Sequence, residues 1–360
     1  MDNLPQFRAA AVHAAPVYLD KARTTEKAIS IIREAARGGA ALVAFPETFL
    51  PAFPIWAALW APIDNHDLFA RMAAESVLAD GPEIARIRDE AKRLGVFVSL
   101  GFSEKSPISV GAMWNSNILI GDDGAVLNHH RKIVPTFYEK LIWASGDGAG
   151  LRVSGTRIAR IGCLICGENT NPLARYALMA DGEQLHISSW PPIWPTRRPS
   201  GGGNFNNLAA NRLRAGAHSF EAKAFGLVTA DFLDRATRDF LVARDASIAA
   251  VLDETPRAAS YFIDPTGELI SGELRDEEGI VYADIDLNLC VEPKQFHDVV
   301  GYYNRFDIFD LSVKRTRLRP VSFVDDATEI AEPTPAAING GAHNGSGDYS
   351  FPIQTQPAAE

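Results

Sequence analysis

The chain has 360 residues, of which 46% are hydrophobic and 22% charged, a composition typical of a soluble globular protein with one large domain or two small ones. Acidic residues outnumber basic ones, and the net charge is −10. This charge disfavours nucleic acids and anionic membranes as partners, because both require basic patches.

Targeting and redox features predict a cytoplasmic protein. The first five residues lack the basic start and apolar core of a signal peptide, and no run of about 18 apolar residues could span a membrane. The three cysteines, Cys163, Cys166 and Cys290, are too few and odd in number for a disulfide framework. We therefore expect a reducing compartment and no membrane or nucleic-acid partner.

Apolar runs alternate with amphipathic segments through the first third of the chain. Residues 20–37 carry Ala28, Ile31, Ile32 and Ala35 at helical spacing, and a glycine pair ends this helix. A turn at residues 122–124 predicts a hairpin. The predicted strands are 7–13, 40–45 and 96–101, the predicted helices are 20–37 and 83–94, and the hairpin strands are 115–120 and 125–130.

The alternation continues to about residue 285. The predicted strands are 157–166, 184–188, 225–230, 259–263 and 281–285, and the predicted helices are 172–180 and 204–223. Apolar strands between helices predict an α/β fold, of the α+β type with mixed sheets, in which helices cover the sheets. We expect a single domain over residues 1–326. Residues 327–360 are rich in Pro, Ala, Gly, Asn and Ser, which predicts a disordered tail.

Cys166 ends an apolar run and is followed directly by Gly167, Glu168 and Asn169. This order predicts a buried strand that delivers a thiol to a sharp turn. A thiol there can be a nucleophile if a nearby group removes its proton, because the ordinary thiol pKa is about 8.5. Two alternatives are a cysteine that only fills the core, and a metal or redox pair with Cys163.

Glu47 and Lys132 also follow apolar or strand segments. Residues 42–46 are all apolar, and a carboxylate at the end of such a run is costly to bury without a partner or a task. Glu47 could instead turn to solvent. Lys132 follows a basic run at residues 129–131, and this run could simply be a solvated edge.

Taken together, the three residues and their contexts resemble the nitrilase superfamily. Cys166 followed by Gly-Glu-Asn resembles the nitrilase branch, because amidase and carbamoylase relatives typically carry an aspartate after the cysteine. The matching segments are 45–49, 131–132 with 135–136, 146–148, 166–169, 186–191, 218–221 and 301–305. The last segment departs from the family pattern at Tyr302, and Phe306 follows where the family has a proline.

The resemblance implies a four-layer α-β-β-α sandwich and a role for each residue. Glu47 would be the general base, and Cys166 would attack the nitrile carbon to form a thioimidate. Lys132 would stabilise the charge that develops on nitrogen, and Glu139 would orient Lys132 or the attacking water. Glu139 could also be a surface loop residue. The resemblance implies no metal or organic cofactor, and it implies a homo-oligomer, a dimer or larger and possibly a spiral.

Substrate-binding residues are predicted from their place beside this triad. Phe53 and Trp56 follow the strand that precedes Glu47, and Trp190 follows the 184–188 strand. Thr136 comes shortly after Lys132, and Gly167 comes directly after Cys166. Aromatic walls suit a hydrophobic nitrile, although core or subunit contacts would explain them equally well. Many nitrilases have tryptophan after the cysteine, and we hypothesise that Gly167 opens room for a bulkier nitrile.

Three functions therefore compete. The leading prediction is a nitrilase that uses water to convert an organic nitrile to the carboxylic acid and ammonia. The second is an amidase, or a nitrile or cyanide hydratase that stops at the amide. The third is a non-catalytic scaffold of the same fold.

Overall fold

The strands form two mixed sheets. In the computed structural model, which describes residues 3–321, these strands are β1 (Gln6–His13), β2 (Ala40–Ala44), β3 (Phe97–Lys105), β4 (Met113–Ile120), β5 (Val126–Arg131), β6 (Ser154–Gly155), β7 (Arg160–Ile165), β8 (Leu185–Trp190), β9 (Phe225–Ala230), β10 (Tyr261–Ile263) and β11 (Gly279–Asp286). The first sheet has the order β11-β1-β2-β3-β4-β5, and the second has the order β10-β9-β8-β7-β6.

Parallel strands lie at the centre of each sheet. In the first sheet, β1, β2 and β3 are parallel to one another. In the second, β7, β8 and β9 are parallel. The outer strands β11, β4, β5, β10 and β6 pair antiparallel, so each sheet is mixed as predicted.

Strand alternation explains why both faces of the first sheet are buried. In β1, Ala9 and Ala11 belong to the apolar cluster between the two sheets, whereas Ala10 and Val12 belong to the cluster on the outer face. Because successive side chains point to opposite faces, an unbroken apolar strand requires a packed layer on each side. The second sheet supplies one layer, and helices supply the other.

The helices form the outer layers. They are α1 (Lys21–Arg37), α2 (His66–Glu75), α3 (Pro82–Leu94), α4 (Pro172–Ala180), α5 (Asn207–Ala222), α6 (Arg235–Arg244), α7 (Ala249–Glu254) and α8 (Val291–Phe296). Residues of α1 and α3 pack on the first sheet, and α5 packs on the second. The α-β-β-α sandwich implied by the resemblance is therefore confirmed.

Most predicted elements are present with shifted ends, and one shift concerns the nucleophile. The predicted strand 157–166 ends at Ile165, and Cys166 begins a 3-10 helix over Cys166–Thr170 with φ 50°. The sequence analysis did not predict α2, α6, α7 or α8. The described residues up to Leu318 form one compact unit, whereas the predicted tail at 327–360 lies outside the described residues. No helix of the described part is long and apolar enough to cross a membrane.

Candidate active site

Three side chains from distant parts of the sequence meet beyond the carboxyl ends of three strands. Glu47 follows β2, Lys132 follows β5, and Cys166 follows β7. Their relative exposures are 0%, 1% and 5%, so all three are buried. The carboxylates of Glu47 and Glu139 and the Cys166 sulfur lie within 4.8 Å of one another. The structure thus brings together the four residues that the sequence analysis predicted to be catalytic.

Lys132 lies between two carboxylates. Its Nζ donates hydrogen bonds to Glu47 Oε1 at 2.7 Å and to Glu139 Oε2 at 2.6 Å. Burial by itself lowers the pKa of the lysine, but its electrostatic interactions with Cys166 and with the carboxylates of Glu139 and Glu47 outweigh that effect and hold the pKa well above its usual value. Lys132 therefore stays an ammonium in a dry site.

Glu47 is only partly satisfied. Its Oε1 accepts from Lys132 and from Asn115 Nδ2 at 2.6 Å, whereas Oε2 has no hydrogen-bond partner among the described residues. Burial raises the pKa of Glu47 to about 7, against the opposing charge of Lys132 and with the help of Glu139. A carboxylate with a pKa near neutrality can both accept and return a proton at physiological pH.

Glu139 is held by a tight turn. It lies in the 3-10 helix Phe137–Leu141, where its Oε2 also accepts from the backbone N–H of Thr136 at 3.0 Å in a capping box. Glu139 is fully buried, so the alternative of a surface loop residue is wrong. Its Oε1 has no partner within the described chain. The same carboxylate thus caps the turn and orients Lys132.

Cys166 carries a neutral thiol in this arrangement. Burial raises the pKa of the thiol well above its usual range, Glu47 raises it further, and Lys132 opposes both. A neutral thiol must lose its proton at the moment of attack. Glu47 is the nearby group that can receive this proton.

Glu168 and Asn169 fix the turn that carries the thiol. Glu168 accepts from the backbone N–H of Ile165 at 2.8 Å and from that of Ile133 at 2.6 Å, which ties the cysteine turn to the lysine segment. Asn169 Nδ2 donates to the carbonyl oxygens of Leu164 at 3.2 Å and Cys166 at 3.0 Å. These bonds hold a left-handed backbone that a non-glycine residue rarely adopts.

A second buried cluster lies behind this turn. His186 Nε2 pairs with Asn169 Oδ1 at 2.8 Å, and His186 Nδ1 pairs with Glu183 Oε1 at 2.8 Å. His218 Nε2 pairs with Glu183 Oε2 at 2.6 Å, and the two imidazole rings stack at 3.6 Å. Burial raises the pKa of Glu183, but the two histidines outweigh it and hold the pKa at about 2.

Donor sets for a cation occur at both clusters. Glu183, His186 and His218 have donor atoms within 4.8 Å of one another, as have Glu47, Glu139 and Cys166. In the first set the donor atoms pair directly with one another, at 2.8 Å between His186 Nδ1 and Glu183 Oε1 and at 2.6 Å between His218 Nε2 and Glu183 Oε2. Those pairs satisfy Glu183 with protons alone.

The predicted substrate-binding residues take up different positions. Phe53 and Trp56 belong to a buried apolar cluster with Tyr138. Trp190 packs in the same buried cluster as Cys166. These positions adjoin the triad, and the roles of the three aromatic residues in binding stay predictions.

The space beside Gly167 is narrower than we expected. Thr136 and Gly167 line one cavity, but a Cβ at position 167 would lie 2.5 Å from Thr136 Oγ1. A side chain there requires Thr136 to move. The hypothesis that this glycine simply opens room for a bulky nitrile therefore needs revision, because the hydroxyl of Thr136 already occupies that side.

The sequence analysis did not identify Asn115, Arg214 or Asp231 as site residues. Asn115 orients Glu47, and Asp231 is fully buried with neither oxygen paired among residues 3–321. Burial and the charge of Glu47 raise the pKa of Asp231 well above its usual value. Each lies inside a predicted element or just beyond one, with no local motif, so no sequence signal marks them.

Sequence relatives cover nearly the whole chain. A family model described as carbon-nitrogen hydrolase matches residues 8–295. A nitrilase of Penicillium rubens is 34% identical, covering 89% of this chain and 97% of the relative. A bromoxynil-specific nitrilase of Klebsiella pneumoniae subsp. ozaenae is 33% identical, covering 92% and 91%. A cyanide hydratase of Gibberella zeae is 32% identical, covering 91% and 92%.

Solved structures share the fold at lower identity. A carbon-nitrogen hydrolase from Helicobacter pylori superposes with a TM-score of 0.65 at 18% identity, covering 84% of this chain and 97% of that one. An amidase from Nesterenkonia sp., with the acetamide moiety of fluoroacetamide added covalently at its active-site cysteine, gives a TM-score of 0.59 at 16% identity, covering 81% and 96%.

Proposed function

The chain belongs to the carbon-nitrogen hydrolase family, in its nitrilase branch, and on that premise we propose that it hydrolyses an organic nitrile to the carboxylic acid and ammonia. The observation that carries the proposal is the buried cluster in which a carboxylate with one free oxygen, an ammonium and a thiol meet. We assign general-base catalysis to Glu47, charge stabilisation to Lys132 and nucleophilic attack to Cys166. Glu139 is a positioning residue for Lys132.

The first half of the reaction forms a thioimidate. The Cys166 sulfur attacks the nitrile carbon while Glu47 takes the thiol proton. One C–N π bond breaks, and the proton that Glu47 took from the thiol passes to the nitrogen. Lys132 stabilises the negative charge that develops on nitrogen, a role suited to an ammonium in a water-poor site. Because Lys132 and Glu47 already lie next to each other before the nitrile binds, the site needs little reorganisation during the reaction.

The second half uses two water molecules. Glu47 removes a proton from the first water, which adds to the thioimidate carbon, and the tetrahedral intermediate expels ammonia to leave a thioester. A second water, activated in the same way, releases the carboxylic acid and restores the thiol. The pKa of Glu47, about 7, suits a group that must bind and release a proton in each step.

A hydratase is the second candidate. If the tetrahedral intermediate expels the thiol instead of ammonia, the product is the amide. The cyanide hydratase relative, at 32% identity, keeps this outcome open. A non-catalytic scaffold is less well supported, because Glu47 Oε2 and Glu139 Oε1 are buried with no hydrogen-bond partner among the described residues, which costs stability.

Product analysis tests the proposal. Purified protein is incubated with aliphatic, aryl and arylacetonitriles, and ammonia, acid and amide are measured together, with Cys166→Ala as the control. We expect acid and ammonia in equal amounts and a nitrile-derived adduct on Cys166 by mass spectrometry. Amide without ammonia would favour the hydratase. Wild-type activity in Cys166→Ala would refute the mechanism.

The setting of the enzyme is also part of the proposal. We place it in the cytoplasm, in keeping with its three unpaired cysteines. We also propose a homo-oligomer, a dimer or larger and possibly a spiral. Exposed Leu173 on α4, and Leu213 and Phe220 on α5, offer apolar surface for such an interface. Size-exclusion chromatography with light scattering tests the assembly.

A further inference from the structure

Three aromatic side chains pack in a row next to the catalytic cluster, and a fourth lies near them. The rings of Tyr138 and Trp194 stack at 5.8 Å, and Phe205 meets Trp194 edge-on at 5.5 Å. Trp190 packs in the same buried cluster as Cys166, and it is linked to Phe205 by Arg214, which contacts both rings. We call Tyr138, Trp190, Trp194 and Phe205 the aromatic wall. Tyr138 neighbours Glu139 in sequence and Trp190 shares a cluster with Cys166, so two members of the wall adjoin the catalytic residues.

Arg214 lies on this wall. Its guanidinium is 5.3 Å from the ring centre of Trp190 and 5.7 Å from that of Phe205, within the range of cation–π contact. Arg214 is carried by α5, which packs against the 3-10 helix that begins at Cys166. Its positive charge acts to lower the pKa of the Cys166 thiol, although burial dominates that pKa. The guanidinium therefore lies within electrostatic reach of the reacting sulfur.

Arg214 has no carboxylate within ion-pair distance in the described part of the chain, although it is half-buried. Its only side-chain hydrogen bond there is a long one, 3.5 Å to Asn211 Oδ1. Arg212 on the same helix differs, because it pairs with Glu273. Burial lowers the pKa of Arg214, which means that its charge pays a desolvation cost without an anionic partner.

A free guanidinium beside an aromatic surface matches one class of ligand. The planar fork of an arginine binds a carboxylate through paired N–H donors, and an aromatic ring stacks on other rings. Two exposed arginines, Arg197 and Arg198, lie in the segment between Trp194 and Phe205, and neither forms an ion pair with a described residue. The surroundings of the wall are thus positive, although the whole protein carries a charge of −10.

We propose that the preferred substrates are aromatic nitriles that carry a carboxylate, with the ring on the aromatic wall and the carboxylate on Arg214. This inference rests on the proposed nitrilase function and names its substrate class. Arg214 is then a specificity-determining residue, whereas the triad carries out the chemistry on charged and neutral nitriles alike.

The test compares substrates that differ only in charge. The kcat/KM values for 3-cyanobenzoate and 4-cyanobenzoate are divided by those for the matching cyanobenzamides, with products separated by chromatography. We expect the wild type to prefer the carboxylate by at least about tenfold, the scale of one charge-assisted hydrogen bond. Arg214→Gln should remove this preference, and Arg214→Lys should keep part of it. The matched control, Arg212→Gln, should keep the wild-type ratio.

Each outcome separates the proposals. No wild-type preference for the carboxylate, or an equal loss on both substrates in Arg214→Gln, overturns the assignment, because Arg214 would then act on the thiol and not on the substrate. If the wild type hydrolyses no nitrile of any charge, the proposed function itself fails. Thermal melting checks that the variants are folded, and Arg214→Lys keeps the test valid if the glutamine variant is not.

Discussion

Two buried clusters of this molecule each pair carboxylates with basic side chains, and they differ in how completely their carboxylates are satisfied. In the cluster of Glu47, Lys132 and Glu139, each carboxylate keeps one oxygen without a partner among the described residues. In the cluster of Glu183, His186 and His218, both oxygens of the single carboxylate accept hydrogen bonds.

The pKa values of the two carboxylates diverge accordingly. Burial alone would raise both. The pKa of Glu47 rises to about 7, whereas two histidines hold that of Glu183 at about 2. Glu47, which we propose exchanges protons, keeps one oxygen without a partner among the described residues, whereas both oxygens of Glu183 accept hydrogen bonds. Burial of a carboxylate therefore does not identify a catalytic group by itself; the partners that its oxygens have, and the direction of its pKa shift, must be considered as well.

The second cluster is connected to the first through one amide. Because the Asn169 NH2 faces two backbone carbonyls, its Oδ1 must face His186, and His186 Nε2 must carry a proton. On its other side, His186 Nδ1 pairs with Glu183 Oε1 at 2.8 Å. These hydrogen bonds hold Asn169, His186 and Glu183 in fixed orientations, and Asn169 in turn holds the backbone of Cys166.

Removing the ammonium should have the largest effect. Lys132→Met leaves Glu47 and Glu139 without their shared partner and leaves the charge on nitrogen unstabilised. We expect kcat to fall by more than about 10³-fold, comparable to the loss of a principal electrostatic contact in other enzymes. Steady-state kinetics on a nitrile with an ultraviolet signal measures this. A loss under about tenfold would mean that the lysine is only a structural counter-ion.

Breaking the anchor should have an intermediate effect. His186→Leu leaves Asn169 Oδ1 unpaired and Glu183 with one partner, so we expect destabilisation by about 3–5 kcal/mol. The kcat of the folded fraction should fall by about 10–100-fold with little change in KM, the scale seen when an outer supporting residue is lost. His186→Gln is the matched control, since its amide can still donate to Asn169. Equal kcat in His186→Leu and wild type would disconnect the clusters.

The pH profile should distinguish the clusters without mutation. Glu47 acts as a base when ionised, so kcat/KM should rise with pH through about 7 and fall about tenfold per unit below it. Glu183, with its depressed pKa, stays ionised across that range and stabilises the fold until the pH falls toward about 2. A flat kcat/KM between about pH 5 and pH 8 would contradict the role of Glu47.

A change at Gly167 should have the smallest effect. The Cβ of Gly167→Ala would come too close to Thr136 Oγ1, so Thr136 must shift and the turn that holds Glu139 shifts with it. We expect a loss of kcat of about threefold to tenfold, similar for acetonitrile and for a bulky arylacetonitrile. A loss confined to the bulky nitrile would restore the original hypothesis that this glycine makes room for substrate.

The triad could be found from the sequence because each member follows a strand in a distinctive local context. The geometry around it could not. Cys166 continues an apolar run, so it was predicted as strand, and nothing in a cysteine signals a φ of 50°. Asn115 lies within strand β4 and Arg214 within helix α5, and both reach the site through contacts that are distant in sequence. Such contacts leave no local sequence pattern.

The missed helices have a similar explanation. Helix α6 buries only Thr237 and Leu241, so it presents no apolar stripe at helical spacing. Helices α7 and α8 are six residues long, which is too short for a periodic pattern to be recognised. The strands were easier, because both faces of each sheet are buried and their apolar runs stand out.

The central claim is that Glu47 exchanges protons whereas Glu183 only anchors, and one matched pair of variants tests it. Glu47→Gln and Glu183→Gln replace each carboxylate by an amide of the same shape, and kcat is measured for both on one nitrile. We predict a loss of more than about 10³-fold for Glu47→Gln and of less than about tenfold for Glu183→Gln, because the amide oxygen can still accept from His218 and the new NH2 can donate to Nδ1 of a His186 that keeps its Nε2 proton. Similar losses in the two variants, or a larger one in Glu183→Gln, would contradict the account.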